Sequence, residues 1–527
     1  MQHSNPHIDL AVGPTALPAY VLPIWKHAAN NPDRAALVQG GKSLSYLELR
    51  DAVDRQARLF QSGGIEAGTP VLLLLDVALE SVVAYWALHA IGAVLVVGDP
   101  AGATANLRHF KVVSSAKHVV AGSLAFEAAS KLQDALIWQV ATDGLVGSFT
   151  AASWLSSEEE DLHSAPPPLP EECALILFSS GTTSAPKAIA HSRGAMQALH
   201  ETLIQTWKLT PDDVVLGGLP FHTIYGLIFS AASTIYSGAT LVLMERFHPE
   251  TALSLIQTYQ VTTAAFVPAM LIMILNLAER EKFDRSSLRM VYSASAPISE
   301  SDLMGFAEFS GADVLCNYGM TEIPGAAVEV SGNPHVAGSS GKVSPNFEVS
   351  VRDIDGGALP VGETGEIAMK GPTLMLGYLG DPEKTADRIR DGWIFSQDKG
   401  RVDSEGNIFV LGRMSEMIIR GGLNISPLEI ESALSEHDSV ADVAVVGPAD
   451  RVFGQIVVAF VVPSTFEPEG NLSDALFSHC RSKLASPKVP TAFHFVSEIP
   501  RNMGGKIDRK ALLNAYDDQQ SAARNGR

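Results

Sequence analysis

The segment Phe178-Ser-Ser-Gly-Thr-Thr-Ser-Ala-Pro-Lys187 is suited to holding phosphate. A strand-like run, Ala174–Phe178, leads into hydroxyls, one glycine and a lysine. Small hydroxylated residues let backbone N–H groups and side-chain hydroxyls surround phosphate oxygens, and a lysine adds a cation. Pro186 precedes Lys187 and Ala188 follows it, so this is not the Gly-Lys-Ser/Thr loop of the common nucleotide hydrolases. Taken alone, the segment also fits an ordinary Ser/Thr-rich turn. Further candidates follow in order: Asn317-Tyr-Gly-Met-Thr-Glu322, Gly392-Trp-Ile-Phe-Ser-Gln-Asp-Lys-Gly400, Gly412-Arg413, Gly421-Gly-Leu-Asn-Ile-Ser-Pro427 and Pro500-Arg-Asn-Met-Gly-Gly-Lys506. Singly, each has a plain reading. Glu322 or Asp398 would be a surface carboxylate or a helix cap. Tyr318 would be a core aromatic, Arg413 an ion-pair partner and Lys506 a solvated charge.

Elements of an α/β protein surround these residues. Val71–Leu75 and Ala93–Val97 are short apolar runs that flank a stretch of helical spacing, Leu79–Ile91. Strand, helix, strand at this spacing predicts parallel strands covered by helices. The preceding helix is signed by a capping-box pair, Ser45 and Glu48, by Leu49, Val53, Ala57 and Phe60 on one face, and by Gly63-Gly64 as its stop. Ala165-Pro-Pro-Pro-Leu-Pro170 reads as a stiff connector. From Glu348 to Leu411 short strands and tight turns are expected, and past Arg413 a small block mixes strands (Val443–Val446, Val457–Val462) with a helix (Asp474–Leu484).

Composition narrows the function classes. Of 527 residues 46% are apolar and 18% charged, against a usual charged share of about 25%, which supports large buried cores and excludes a mainly disordered chain. The net charge of −20 repels nucleic acid and anionic lipid. Cys173, Cys316 and Cys480 lie too far apart in sequence for a disulfide framework or a four-ligand zinc site, so a reducing, cytoplasmic setting is expected. The most apolar stretch, Val71–Val97, carries Asp76, Glu80 and His89, which argues against a membrane span. Oligomeric state is not legible.

In their order, the six motifs resemble those of the adenylate-forming superfamily: acyl- and aryl-CoA synthetases, adenylation domains of peptide synthetases and beetle luciferases. The resemblance runs from about Tyr46 to Leu512. It implies a large N-terminal body (1–414) of α/β subdomains plus a β-rich portion, and a small mobile α+β cap (415–527) hinged at Ser415. It implies that Ser180, Gly181, Thr182, Thr183 and Lys187 cover the β- and γ-phosphates of ATP. Tyr318, with Asn317 and Gly319, would lie on adenine beside the turn that holds Ser295, Ala296 and Pro297. Thr321 would bond the α-phosphate, Glu322 would hold Mg²⁺, and Asp398 would accept both ribose hydroxyls with Arg413 nearby. Lys506 would reach the substrate carboxylate and α-phosphate. The chemistry accounts for these types: a carboxylate attacking a phosphate brings two anions together, and a cation on oxygen ligands plus a placed lysine offset that repulsion.

The same resemblance makes Pro220-Phe-His-Thr-Ile-Tyr-Gly226 the acyl-pocket segment, with His222 as an aromatic gate and Ile224, Tyr225, Val267, Pro268 and Ile323 as an apolar wall. No aspartate stands early in this segment to hold an ammonium, so an apolar medium-chain, alicyclic or aryl acid is expected, selected by burial at about 0.8 kcal/mol per CH₂. Gly421 and Gly422 would replace Lys506 in a second half-reaction with CoA. Arg481, Lys483 and Lys488 are candidates to attract that polyanion. A carrier protein in trans or an amine is the alternative acceptor. Four places depart from the family pattern: Ser184 and Ala188 in the phosphate loop, Gln397 before Asp398, Ser415 at the hinge and Asn502 before the lysine. A nucleotide-binding regulator without activity would fit those departures, whereas Lys187, Glu322, Asp398, Arg413 and Lys506 argue for an active ligase.

Overall fold

A computed structural model describes residues 17–102, 104–132, 135–140, 149–154, 169–179, 186–464, 472–501 and 506–525. The chain divides into two compact units, Met1–Ile176 and Leu177–Arg527. Most of the Pro-rich connector lies outside the described residues.

In the first unit the expected strand, helix, strand unit is present as Pro70–Leu74, Leu79–Ile91 and Val94–Val97, and its two strands pair in parallel. Parallel pairing continues from Pro70–Leu74 through His118–Ala121 to Leu136–Val140, and Phe149–Trp154 closes the run antiparallel. The helix Tyr46–Ser62 starts on the capping box: Glu48 N donates to Ser45 Oγ at 3.2 Å, and Ser45 N donates to Glu48 Oε2 at 2.8 Å. Each bond satisfies an N–H that the helix start leaves without a partner. Leu49, Val53, Ala57 and Phe60 are buried, as their spacing predicts.

The second unit contains the motifs. Thr240–Leu243, Val214–Gly217, Thr263–Phe266, Met290–Ser293 and Asp313–Met320 form a parallel array in that spatial order, and Ile323–Val328 turns back antiparallel on the last of them. Parallel strands need covered faces, and these read as near-continuous apolar runs. Asp213 and Arg289 tie the entries of Val214–Gly217 and Met290–Ser293, the two strands that flank Thr263–Phe266: Arg289 Nε donates to Asp213 Oδ1 at 2.8 Å and Nη2 to Oδ2 at 3.0 Å.

The expected β-rich portion consists of Glu348–Arg352, Gly365–Lys370, Ile389–Arg390, Trp393–Val402 and Ile408–Arg413, all paired antiparallel. Its turns follow local chemistry: Asp403 Oδ1 accepts from Glu405 N and from Asn407 N, each at 2.9 Å. Beyond it, Val440–Val446 pairs antiparallel with Val458–Pro463, which pairs in parallel with Ala492–Phe495. Helices Pro427–Ser435 and Leu472–Lys483 pack on this sheet around Ile430, Leu434, Val445, Val461, Leu476 and Cys480. This C-terminal part therefore has an apolar centre of its own. The three cysteines are buried and unbridged.

Candidate active site

The strand Asp313–Met320 delivers Asn317, Tyr318 and Gly319 to its C-terminal end, and the tight return into Ile323–Val328 places Thr321 and Glu322 at the turn. Ligand sites of parallel α/β sheets lie at this end of the strands. Asn317 keeps both amide atoms buried without a hydrogen-bond partner among the described residues. A buried amide left unmet is costly, so its donor and acceptor suit a ligand.

Two strands of the β-rich portion supply the next pair. Asp398, on Trp393–Val402, faces Arg413, on Ile408–Arg413, as direct register partners. Arg413 Nε lies 3.0 Å from Asp398 Oδ1, and the Tyr318 hydroxyl donates to Asp398 Oδ2 at 2.7 Å. Burial pushes the Asp398 carboxyl above its usual pKa, while Arg413, Tyr318, Lys506 and Arg388 pull it back toward ionisation. The side chains of Tyr318 and Asp398 are thus joined across 80 residues of sequence.

Glu322 is buried, and its Oε1 accepts from the Tyr378 hydroxyl at 2.8 Å. Its Oε2 has no hydrogen-bond partner among the described residues, which leaves a hard oxygen donor of the kind a divalent cation takes. Lys187 opens the strand Lys187–Ser192, which pairs with Gly377–Tyr378, and its Nζ lies 5.3 Å from the Tyr378 ring centroid. Burial first, then the fields of Lys384 and Arg388, lower the Lys187 pKa, and Glu322 and Asp381 oppose them. Ser180, Gly181, Thr182, Thr183 and Ser184 lie outside the described residues.

Lys506 joins this group from the C-terminal part. Its side chain remains solvent-exposed, yet protein surrounds it densely enough that desolvation, then Arg413, lower its pKa, with Asp398, Glu322 and Glu416 acting the other way. Arg509, three residues on, holds this segment to Glu416 at 2.9 Å and to Glu431 at 2.8 Å. Ser415 sits exposed in the single turn Met414–Glu416.

One departure from the family pattern, Gln397, and one residue of the turn expected beside adenine, Ser295, take a physical form. Gln397 has φ +62° and Ser295 has φ +77°, left-handed values that favour glycine. Both residues lie in segments that the resemblance links to the nucleotide, and strained backbone of this kind collects at functional sites. Gly421 and Gly422, at φ +58° and +83°, are the two central residues of the hairpin between Ile418–Arg420 and Leu423–Ile425. A two-residue hairpin with both φ positive requires such residues whatever else they do.

The pocket residues divide. His222, Ile224 and Val267 keep part of their surface, whereas Tyr225 and Ile323 are buried. The Tyr225 hydroxyl donates to the Tyr292 carbonyl at 2.8 Å and to the Phe266 carbonyl at 3.3 Å, so it ties its helix to two sheet strands. Tyr225–Ala232 is a π-helix, a form frequent at functional sites. A Cβ on Gly226 would stand 2.3 Å from the Pro220 carbonyl oxygen, so only glycine fits the start of this segment. Of the basic candidates, Lys483 pairs with Glu436 at 2.7 Å and Lys488 with Glu429 at 2.6 Å.

Three residues of this group escape the sequence reading. Tyr378 bridges Lys187 and Glu322, and buried His191 lies 2.7 Å from the Thr321 carbonyl through Nε2, kept neutral by burial that lowers its pKa to about 4. Arg388 is the third. No motif marks them, because their importance lies in contacts made far along the chain.

The model of the family described as AMP-binding enzyme matches residues 24–379, and that of the AMP-binding enzyme C-terminal domain matches residues 429–506. The chain belongs to the AMP-binding enzymes. Like them, it is a member of the adenylate-forming superfamily, and its α/β body with a C-terminal α+β part has their architecture. Among AMP-binding enzymes it is 31% identical over 491 residues to "Probable CoA ligase CCL5" of Humulus lupulus, covering 90% of this chain and 88% of that one. It is 32% identical to "Crotonobetaine/carnitine--CoA ligase" of Escherichia coli (strain SE11), covering 89% and 92%. The amide bond synthetase McbA from Marinactinospora thermotolerans matches with a TM-score of 0.83 at 27% identity, covering 94% of this chain and 99% of that one.

Proposed function

We propose that this protein is an AMP-forming acid–thiol ligase. ATP and a carboxylic acid give an acyl-adenylate and pyrophosphate, and the thiol of CoA then takes the acyl group and releases AMP. The observation that carries this reading is the meeting of Asp398, Arg413 and Glu322 around Lys506, from three separate stretches of chain, each within reach of the lysine's charge. It is supported by the CoA-ligase names of relatives that align over most of their length.

In the first step the acid's carboxylate approaches the α-phosphate. Lys506 supplies a cation to both reacting groups, and Asp398 with Tyr318 positions the nucleoside. The free oxygen of Glu322 fits Mg²⁺, which would neutralise phosphate charge when bound. The region 415–527 is read as the moving cap, with Ser415 at its hinge and Gly421-Gly422 as the segment brought forward for the thiol. His222, Ile224 and Val267 offer surface for an apolar medium-chain, alicyclic or aryl acid.

A panel of such acids with ATP, read by pyrophosphate release, tests the reading. Lys506→Ala is expected to lower adenylate formation by about 100-fold or more, while thioester formation from preformed acyl-adenylate changes little. Pyrophosphate release undiminished in this variant would refute the assigned role. Transfer to an amine or to a carrier protein in trans is the second reading, favoured by the likeness to the amide bond synthetase. Product identification with CoA, an amine or a carrier present separates the two.

A further inference from the structure

Arg388 ends the short helix Pro382–Arg388 and is only 8% exposed. A guanidinium so deeply placed is expected to face a carboxylate, but among the described residues it has none. Its hydrogen bond there runs from Nη2 to the Ser396 carbonyl at 3.3 Å, a long contact to a neutral acceptor, and its Nε is buried without a partner. Ser396 O also accepts from Arg413 Nη1 at 3.2 Å, so one carbonyl serves two cations.

The surrounding charges sharpen the anomaly. Arg388 and Lys384 both act on Lys187 as like charges. On the other side, Arg388 acts favourably on Asp398 and on Tyr378. The guanidinium is thus near enough to Lys187, Tyr378 and Asp398 for its charge to act on each, and it shares the Ser396 carbonyl with Arg413. Burying a cation costs several kcal/mol even after relaxation. The C-terminus of a helix returns only about 0.3–1 kcal/mol to a cation, and this helix is seven residues long. That is too little to hold the charge in place. A buried cation that repels its neighbouring lysine, and that no carboxylate touches among the described residues, would be stabilised by an added anion.

We propose that Arg388 is an anion-binding residue of this site, taking oxygens of the nucleotide's polyphosphate and retaining the released pyrophosphate. The inference rests on the ATP-dependent reading above and adds a residue to it. The unpaired Nε and its neighbouring amino group form the flat edge that matches two phosphate oxygens, a geometry that lysine lacks. Lys187 and Arg388 would then hold one highly charged ligand from two sides, which relieves their mutual repulsion.

Direct binding by calorimetry, without any acid substrate, provides the test. Inorganic pyrophosphate and AMP are titrated into the wild type, R388M and R388K, and the melting temperature of each unliganded protein is recorded. R388M is expected to melt no lower than the wild type, because an unpaired buried charge is replaced by an apolar chain of similar length. It is expected to bind pyrophosphate about tenfold or more weaker, with AMP affinity within about twofold. R388K, which keeps the charge and loses the fork, falls between. Unchanged pyrophosphate affinity in both variants overturns the proposal, as does a parallel loss of AMP and pyrophosphate, which would mark Arg388 as a support of Asp398. If the wild type binds neither AMP nor pyrophosphate, the nucleotide reading itself fails; if it binds both and the variants match it, only the role of Arg388 fails.

Discussion

Gln397 shows how a single residue carries backbone strain beside a candidate site residue. It precedes Asp398, its φ of +62° is unfavourable for a side chain with a Cβ, and its N–H donates to Glu366 Oε1 at 2.8 Å. That bond and the paired strands on either side hold the backbone in place. Replacing it by glycine removes a Cβ penalty of roughly 1–2 kcal/mol and adds unfolded-state entropy of roughly 0.5–1 kcal/mol. Gln397→Gly is therefore expected to raise stability by up to about 1 kcal/mol in urea unfolding, with a looser ATP site seen as a higher KM for ATP. A stability loss would show that the glutamine side chain makes a contact worth more than the strain. The sequence marked this position as a departure but not its backbone angle, since φ is set by the register of Trp393–Val402 against its three partner strands.

At the scale of elements, the strand that carries Tyr318 is braced by a cluster that no motif announces. Cys316 N donates to Glu329 Oε2 at 2.6 Å, and His335 lies 2.7 Å from Glu329 Oε1 and 3.2 Å from Glu300 Oε2. The hydrogen bond to Glu329 leads the causes that raise the His335 pKa from 6.5 to about 9. The folded protein then binds a proton that the unfolded chain releases first, so this contribution is complete below pH 6.5 and is lost as pH rises through about 9. Unfolding free energy measured from neutral to alkaline pH is expected to fall by up to about 3 kcal/mol from this group, and His335→Gln to flatten that slope. An unaltered slope in the variant would assign the loss elsewhere. Local signals served well where the physics is local, as in the Ser45–Glu48 capping box. The π-helix Tyr225–Ala232 was not legible, because it depends on Gly226 packing against the Leu219 and Pro220 carbonyls and on Tyr225 reaching two strands.

For the whole molecule, the net charge of −20 sets a field that opposes ATP and CoA alike. Lys483 and Lys488 were candidates to overcome it, but both are already paired with glutamates. Screening should then help the approach of the ligand. The KM for CoA is expected to fall or stay level as ionic strength rises from about 20 to about 200 mM, where the Debye length shortens to under about 10 Å. A steep rise would reveal an attractive basic patch elsewhere. No helix among the described residues is long and apolar enough to cross a membrane.

By itself the sequence determined those secondary elements whose signals are local and the order of the family-like motifs, because helix caps, parallel-strand runs and Gly- and Asp-rich turns are read over a few residues. It also determined which charged types are present for the reaction, through their resemblance to a known pattern. Only the tertiary structure decided which of them meet. Asp398 is held between Tyr318 and Arg413, Glu322 is held by Tyr378, Tyr225 serves the core, and Arg388 lies buried with no carboxylate in contact among the described residues. Desolvation and charge pairing depend on neighbours distant in sequence, and those neighbours are defined only when the chain is packed.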